Sequence, residues 1–273
     1  MSTPIPRLPV AAVEPRPAAT TLIVRDGAPG LEVLMVKRSP TASFMPGAYV
    51  FPGGAVDAAD GAPESLAQTD ESTAALRRRI GDVTQVGERA TAFAVAALRE
   101  CFEECGLWLG AAAGDEPAAS WSALRARLHA GQSLAALAAG AGLRLATSGL
   151  QPWARWITPV GIGKRFDTLF LLMRAPDAQT PSVDAGETTT LAWVHPPAAL
   201  AEQAQGGFPM EFATVSIVRS LLPFATGSAQ ALLNHAAALS GIDTVQPRLK
   251  VNDAGHIVGV MLPGQPGYDE GWR

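Results

Sequence analysis

ATAFAVAALRECFEECGL, Ala90 to Leu107, is the stretch on which the rest of the chain turns. Its alanine, leucine and glutamate content predicts a long helix over Ala90 to Leu109. At about 100° per residue, Ala94, Leu98, Cys101, Phe102 and Cys105 share one face, and Glu100, Glu103 and Glu104 share the opposite one. The two cysteines then pack inward as small hydrophobes, and Gly106 supplies a stop for the helix. In a chain only 17% charged, three glutamates within five residues stand out. A solvated helix face is the ordinary fate of such a cluster. Side by side, however, the carboxylates repel one another, so at least one pKa should rise and a cation is called for. Carboxylate oxygens are hard ligands suited to Mg²⁺ or Mn²⁺, ions that also engage phosphate groups.

On the N-terminal side, TTLIVRD and LEVLMVKRS are β-branched and aliphatic runs separated by the turn-rich GAPG, and they predict two adjacent strands. A short extended piece, AYVFPGG, follows. Residues 57–88 lack a sustained apolar period and are expected to form an insertion with at most a short helix. On the C-terminal side, residues 111–150 carry two helical patterns, WSALRARLHAG and SLAALAAGAG, broken at glycines, and predict a second, helical insertion. This segment and the C-terminal helices could cap a cleft or form a homodimer surface. Strand-like runs return as WARWITPVG, RFDTLFLLMRAP and TLAWVHP. PAALAEQAQ, TVSIVRSLLPFA and AQALLNHAAALSG read as helices, and the segment from Lys250 to Glu270 as a hairpin with a turn-rich tail. Alternating strands and helices predict an α/β or α+β layered domain. Residues 1–19, with five prolines, are expected to be a flexible lead-in to a single domain over 20–273.

A length of 273 residues suffices for a substantial core. With 48% hydrophobic residues and a net charge of −4, the chain lacks the basic face that nucleic acid requires. The opening residues lack the apolar segment of a signal peptide or membrane span, so a cytoplasmic protein is expected. Two cysteines make no disulfide framework, and His129, His195, His235 and His256 have no ligand spacing, so zinc is not expected.

The run Arg99-Glu100-x-x-Glu103-Glu104-x-Gly106-Leu107 resembles the second half of the Nudix box, GX5EX7REUXEEXGU. FPGG at Phe51 to Gly54 resembles the glycines that open it. Between Gly54 and Arg99 lie 44 residues where the pattern has 13, so the box is interrupted by 31 extra residues. Counted back from Arg99, the isolated glutamate of the pattern falls on Thr91, and Glu88 is out of register. An interrupted box, together with MPGAYVFPGGAVDAAD, WITP and KRFDT, is similar to the Nudix branch that includes the peroxisomal coenzyme A diphosphatase.

The resemblance implies a Nudix-type mixed sheet sandwiched between helices. It also implies a Mg²⁺- or Mn²⁺-dependent hydrolase that cleaves the diphosphate of a small-molecule nucleoside diphosphate conjugate, coenzyme A or an acyl-coenzyme A first. Alternatives are ADP-ribose, NADH or diadenosine polyphosphates as substrates, a ligand-sensing module without catalysis, or a diphosphate isomerase. By position, Glu103, Glu104 and the Gly53 carbonyl are implied as metal ligands, Glu100 as ligand or general base, and Arg99 as the fork that holds a glutamate. Glu187, six residues before Trp193, is a candidate ligand or base. Arg38, Lys164 and Arg165 are candidate phosphate donors, with Asp167 paired to Arg165. Phe44 and Tyr49 could stack on a base but are expected to pack locally.

Overall fold

The computed structural model describes residues 13–41, 45–109, 117, 119–184, 188–252 and 256–269. In chain order the strands are β1 (Arg16–Gly27), β2 (Gly30–Arg38), β3 (Tyr49–Val50), β4 (Gly53–Ala55), β5 (Gln151–Ile157), β6 (Phe166–Arg174), β7 (Thr188–Val194), β8 (Thr244–Val245), β9 (Arg248–Val251) and β10 (Ile257–Met261). The α-helices are α1 (Pro63–Gln68), α2 (Thr73–Leu76), α3 (Ala90–Cys105), α4 (Trp121–His129), α5 (Leu134–Ala141), α6 (Pro196–Ala204), α7 (Phe212–Ser220) and α8 (Ala229–Ala237).

β1 organises the sheet. It runs parallel to β6 from Arg16 to Val24 on one side. On the other side its first half pairs antiparallel with β4 and its second half with β2. β2 in turn carries β3 and β7, and β6 carries β5, beside which β8 lies parallel. Both faces are covered, which is why the central strands read as unbroken apolar runs rather than alternations. Ala19, Ile23, Leu34, Val36, Leu169 and Leu171 pack under α3 and the insertion helices. Leu22, Val24, Leu31, Val33 and Met35 face the opposite way, with Ile217 and Val218 of α7 and Leu232 of α8. The fold is thus the expected mixed sheet between helices. Among the described residues no helix is long and apolar enough to cross a membrane.

Three expectations need correction. Arg16 to Ala19, expected in the lead-in, belong to β1, with Pro17 near its start where a missing N–H is tolerated. Residues 57–88 contain more than one short helix. Besides α1 and α2 there are 3₁₀ turns at Ala58–Gly61 and Gly87–Arg89 and a π-turn at Arg77–Asp82. The third correction concerns the long helix, which ends at Cys105 rather than Leu109, because Gly106 takes a left-handed φ of 68°.

The two insertions are bound to each other. Thr69 and Leu145 form a parallel bridge, and the Asp70 carboxylate accepts from the Thr147 hydroxyl and the Ser148 amide, both at 3.0 Å. Arg79 donates to the Thr147 carbonyl at 2.8 Å and also engages Glu71 and the Leu150 carbonyl. The segment that interrupts the box therefore lies against the helical segment.

Candidate active site

Helix α3 lies across the sheet with its glutamates directed at the strand β4. The carboxylates are not solvated: Glu104 is 4% exposed, and the side chains of Glu100 and Glu103 are 14% and 24% exposed. The Gly53 amide donates to Glu104 Oε2 at 3.0 Å, which fixes the carboxylate to the strand. A Cβ on Gly54 would fall 2.4 Å from Glu100 Oε1, so only glycine lets β4 approach this close.

Arg99 holds the cluster together. Its Nη1 donates to Glu100 Oε1 and to Glu103 Oε2, each at 2.8 Å. Its Nε and Nη2 grip Asp60 Oδ1 and Oδ2 at 2.9 and 3.0 Å, and Nη2 also reaches the Ala55 carbonyl at 2.8 Å. Asp57 lies 3.7 Å away. The expected fork is present, and Asp60 is its bidentate partner, the geometry that suits a planar guanidinium. Burial works against the charge on Arg99, but its hydrogen bonds to Asp60 and the fields of Glu100, Asp60 and Glu103 outweigh it and raise its pKa.

Asp60 also answers where the isolated acid of the box has gone. Counted forward from Gly54 rather than back from Arg99, position six is Asp60. The 31 extra residues lie between Asp60 and Arg99, so Thr91 was never the equivalent position. Thr91 is buried within α3.

The electrostatics differ in cause from the sequence expectation. Glu100 is pushed up to about 7, chiefly by burial; Arg99 opposes the shift, and repulsion from Glu103 is a smaller contribution. Burial likewise raises Glu103, against the pull of Arg99 and, more weakly, His129. The thiols of Cys101 and Cys105 are buried and raised by desolvation, as core residues should be.

Of the phosphate-donor candidates, Arg165 is committed elsewhere. Arg165 is buried, and its donors go to the Thr158 carbonyl at 2.9 Å and the Val13 carbonyl at 2.6 Å, so it fastens the start of β6 and is not a free donor. Asp167 does not pair with it. A fork from Arg155 on neighbouring β5 holds Asp167 at 2.8 Å through both oxygens, and Arg89 lies 3.6 Å away. Lys164 is exposed in the turn before β6, and Arg38 ends β2 opposite Thr188. Tyr49 stacks on Phe208 at 3.7 Å, the local packing expected of it. Phe44 and Glu187 lie outside the described residues.

Beside the C-terminal end of α3 a cleft of about 540 Å³ opens between α4 and the segment 178–184. Trp121, Ser122, His129, Thr180 and Asp184 line it, and Arg125 forms its floor. The insertion helix α4 therefore contributes one wall of a cleft beside the C-terminal end of α3.

The donors offered around Glu100, Glu103, Glu104 and the Gly53 carbonyl are all hard oxygens, the kind that a divalent Mg²⁺ or Mn²⁺ ion takes. Glu100, buried and reluctant to ionise, is the sort of carboxylate that a nearby cation stabilises as an anion. Two of the carboxylates are turned onto Arg99 and one onto the Gly53 amide. No group of three acidic, histidine or cysteine side chains among the described residues is gathered on a common point. The donor chemistry fits a divalent cation, because Arg99 engages one oxygen each of Glu100 and Glu103 and the Gly53 amide one oxygen of Glu104.

A carboxylate-bearing helix pinned to a Gly-Gly strand, under a mixed sheet covered on both faces, defines a protein of the Nudix class. The family model described as the NUDT19 Nudix domain matches residues 10–208, and the chain belongs to that family. It is 32% identical over 240 residues to the acyl-coenzyme A diphosphatase NUDT19 of Gallus gallus, covering 67% of this chain and 61% of that protein. To the protein of the same name from Homo sapiens it is 28% identical over 280 residues, 89% of this chain and 74% of that one. The chain thus spans about three-fifths of the length of the avian relative. Among solved structures, a Nudix hydrolase from Alicyclobacillus acidocaldarius superposes with a TM-score of 0.67 at 28% identity, covering 82% of this chain and 97% of that one.

Proposed function

We propose that this protein is a divalent-metal-dependent hydrolase that cleaves the diphosphate linkage of a nucleoside diphosphate conjugate, with coenzyme A or an acyl-coenzyme A as the first substrate to try. The observation that carries the reading is the Arg99 fork that gathers Asp60, Glu100 and Glu103 beside Glu104 and the Gly53–Gly54 strand. The choice of coenzyme A draws support from the names of the avian and human relatives. Glu103, Glu104, Glu100 and the Gly53 carbonyl are the groups that would hold Mg²⁺ or Mn²⁺. When bound, such an ion neutralises phosphate oxygens and lowers the pKa of an attacking water. The chain's own contribution is to preorganise the carboxylates: Arg99 orients Glu100 and Glu103, and the Gly53 amide orients Glu104. Glu100 would serve as a further ligand or as the general base. The cleft along α4 offers room for the non-reacting part of the substrate. A cytoplasmic location accords with the two free, buried thiols.

The test is product release from coenzyme A, acetyl-coenzyme A, ADP-ribose, NADH and diadenosine polyphosphates with Mg²⁺ or Mn²⁺, beside Glu104→Gln. Cleavage abolished by that substitution supports hydrolysis and names the substrate. Folded protein that binds a conjugate without cleaving it would replace hydrolysis with sensing.

A further inference from the structure

Arg125 is a buried cation that the box pattern does not include. It projects from α4, within the helical insertion, onto the last turn of α3. Its Nε and Nη2 both donate to the backbone carbonyl of Glu103, at 2.8 and 2.6 Å. Its Nη1 reaches the Ser182 carbonyl at 3.0 Å, the Ser182 hydroxyl at 3.1 Å and the Val183 carbonyl at 3.2 Å. The Ser182 amide in turn donates to the Cys105 carbonyl at 2.8 Å. One guanidinium therefore ties three pieces of chain together: the insertion helix, the turn of α3 that bears Glu103 and Glu104, and the segment that leads to Asp184 and β7.

The chemistry of that contact is specific. The last carbonyls of a helix have no intrahelical donor and carry its negative dipole end, so a cation there is favoured. Burial opposes the charge on Arg125 and lowers its pKa, while Asp184 and Glu104 lie near enough to support it. Gly106 makes the approach possible: its left-handed φ of 68° turns the chain aside, and a Cβ there would fall 2.9 Å from Ser182 Oγ and 3.2 Å from Arg125 Nη1. Arg99 holds Glu103 by its carboxylate and Arg125 holds it by its backbone, so the residue is fixed at both ends.

We propose that Arg125 is a positioning residue: the helical insertion sets the backbone of Glu103 and Glu104 through it, and metal affinity and turnover depend on an element outside the box. This rests on the hydrolase reading for its kinetic consequences but not for its structural ones. Outer partners that orient metal ligands are typically worth roughly 10- to 100-fold in affinity or activity. Arg125→Ala and Arg125→Lys are compared with Arg127→Ala, an exposed position on the same helix. Kinetics are normalised to folded protein, Mn²⁺ binding is titrated without substrate, and amide exchange is followed at Ser182. Arg125→Ala is expected to weaken Mn²⁺ binding and to lower kcat, each by roughly tenfold or more. Exchange at Ser182 should accelerate by about tenfold or more, and Arg125→Lys should recover part of each loss, since an ammonium keeps the charge but not the fork. Arg127→Ala should match the wild type. Should Arg125→Ala not fold, Arg125→Lys and Ser182→Ala carry the same comparison. Mn²⁺ affinity and per-molecule kcat within about twofold of wild type in a folded Arg125 variant would overturn the proposal. A wild type that cleaves nothing in the panel overturns the hydrolase reading alone, because metal binding and amide exchange still report on Arg125.

Discussion

In the metal-free protein, stability should fall as pH rises from about 4.5 to 7, and Glu100→Gln should remove most of that fall. The carboxyl of Glu100 moves from an ordinary value of 4.5 to about 7 on folding, with burial the chief cause. A folded-state pKa above the unfolded one means that the native protein binds the extra proton across this window. Its contribution is therefore fully present below 4.5 and lost as pH climbs through 7. The difference of about 2.5 pH units corresponds to about 3 kcal/mol. For a chain of this size that amounts to several degrees in Tm, roughly 6–10 °C. Glu103 is raised as well and adds in the same direction. Asp70, lowered by its hydrogen bonds from Ser148 and Thr147 in spite of burial, acts below this window and not within it. The assay is urea unfolding in chelator at half-unit pH steps, wild type against Glu100→Gln. The variant should show a slope flatter by about 3 kcal/mol over the window, with the residual assigned to Glu103. Parallel curves for the two proteins would refute the claim that Glu100 is buried at a desolvation cost.

Mn²⁺ should reverse the sign: because it binds the ionised carboxylates, its stabilising effect should be larger at pH 8 than at pH 6, as read by thermal unfolding at fixed free metal. Asp60→Asn removes the bidentate carboxylate from Arg99, which keeps Glu100 and Glu103, and should cost about 1.5–3 kcal/mol in chemical denaturation. Gly54→Ala should lower kcat by roughly 10²-fold while Tm moves little, because the displaced group is the flexible end of Glu100; unchanged kcat would mean that the close approach of β4 is incidental. Ala126→Trp, which narrows the cleft from α4, should raise KM for the cleaved conjugate by roughly tenfold and leave Mn²⁺ affinity unchanged, measured by initial rates and by titration.

What was legible in the sequence and what was not divides along the range of the interaction. The glutamate face of α3 and the Gly106 stop are set by neighbours a few residues apart, and helical geometry brings Glu103, four residues on, to Arg99. Asp60 sits 39 residues from Arg99, and counting backward from the arginine crosses the insertion, where spacing carries no information; counting forward from Gly54 reaches it. Asp167 was assigned to Arg165, two residues away, but Arg165 directs its donors to the Thr158 and Val13 carbonyls. Its partner Arg155 comes from the antiparallel strand, where Ile157 stands opposite Asp167. Nor does any local signal reveal the parallel register of β1 on β6 or the reach of Arg125 to Glu103. The interruption itself is physically inexpensive. Lengthening the connection from 13 to 44 residues adds about 1 kcal/mol of closure entropy. A buried Asp60–Arg99 fork at its start and the Asp70 and Arg79 contacts to the second insertion hold its course. The box can therefore be split at that point because its two halves meet through side chains rather than through the length of chain between them.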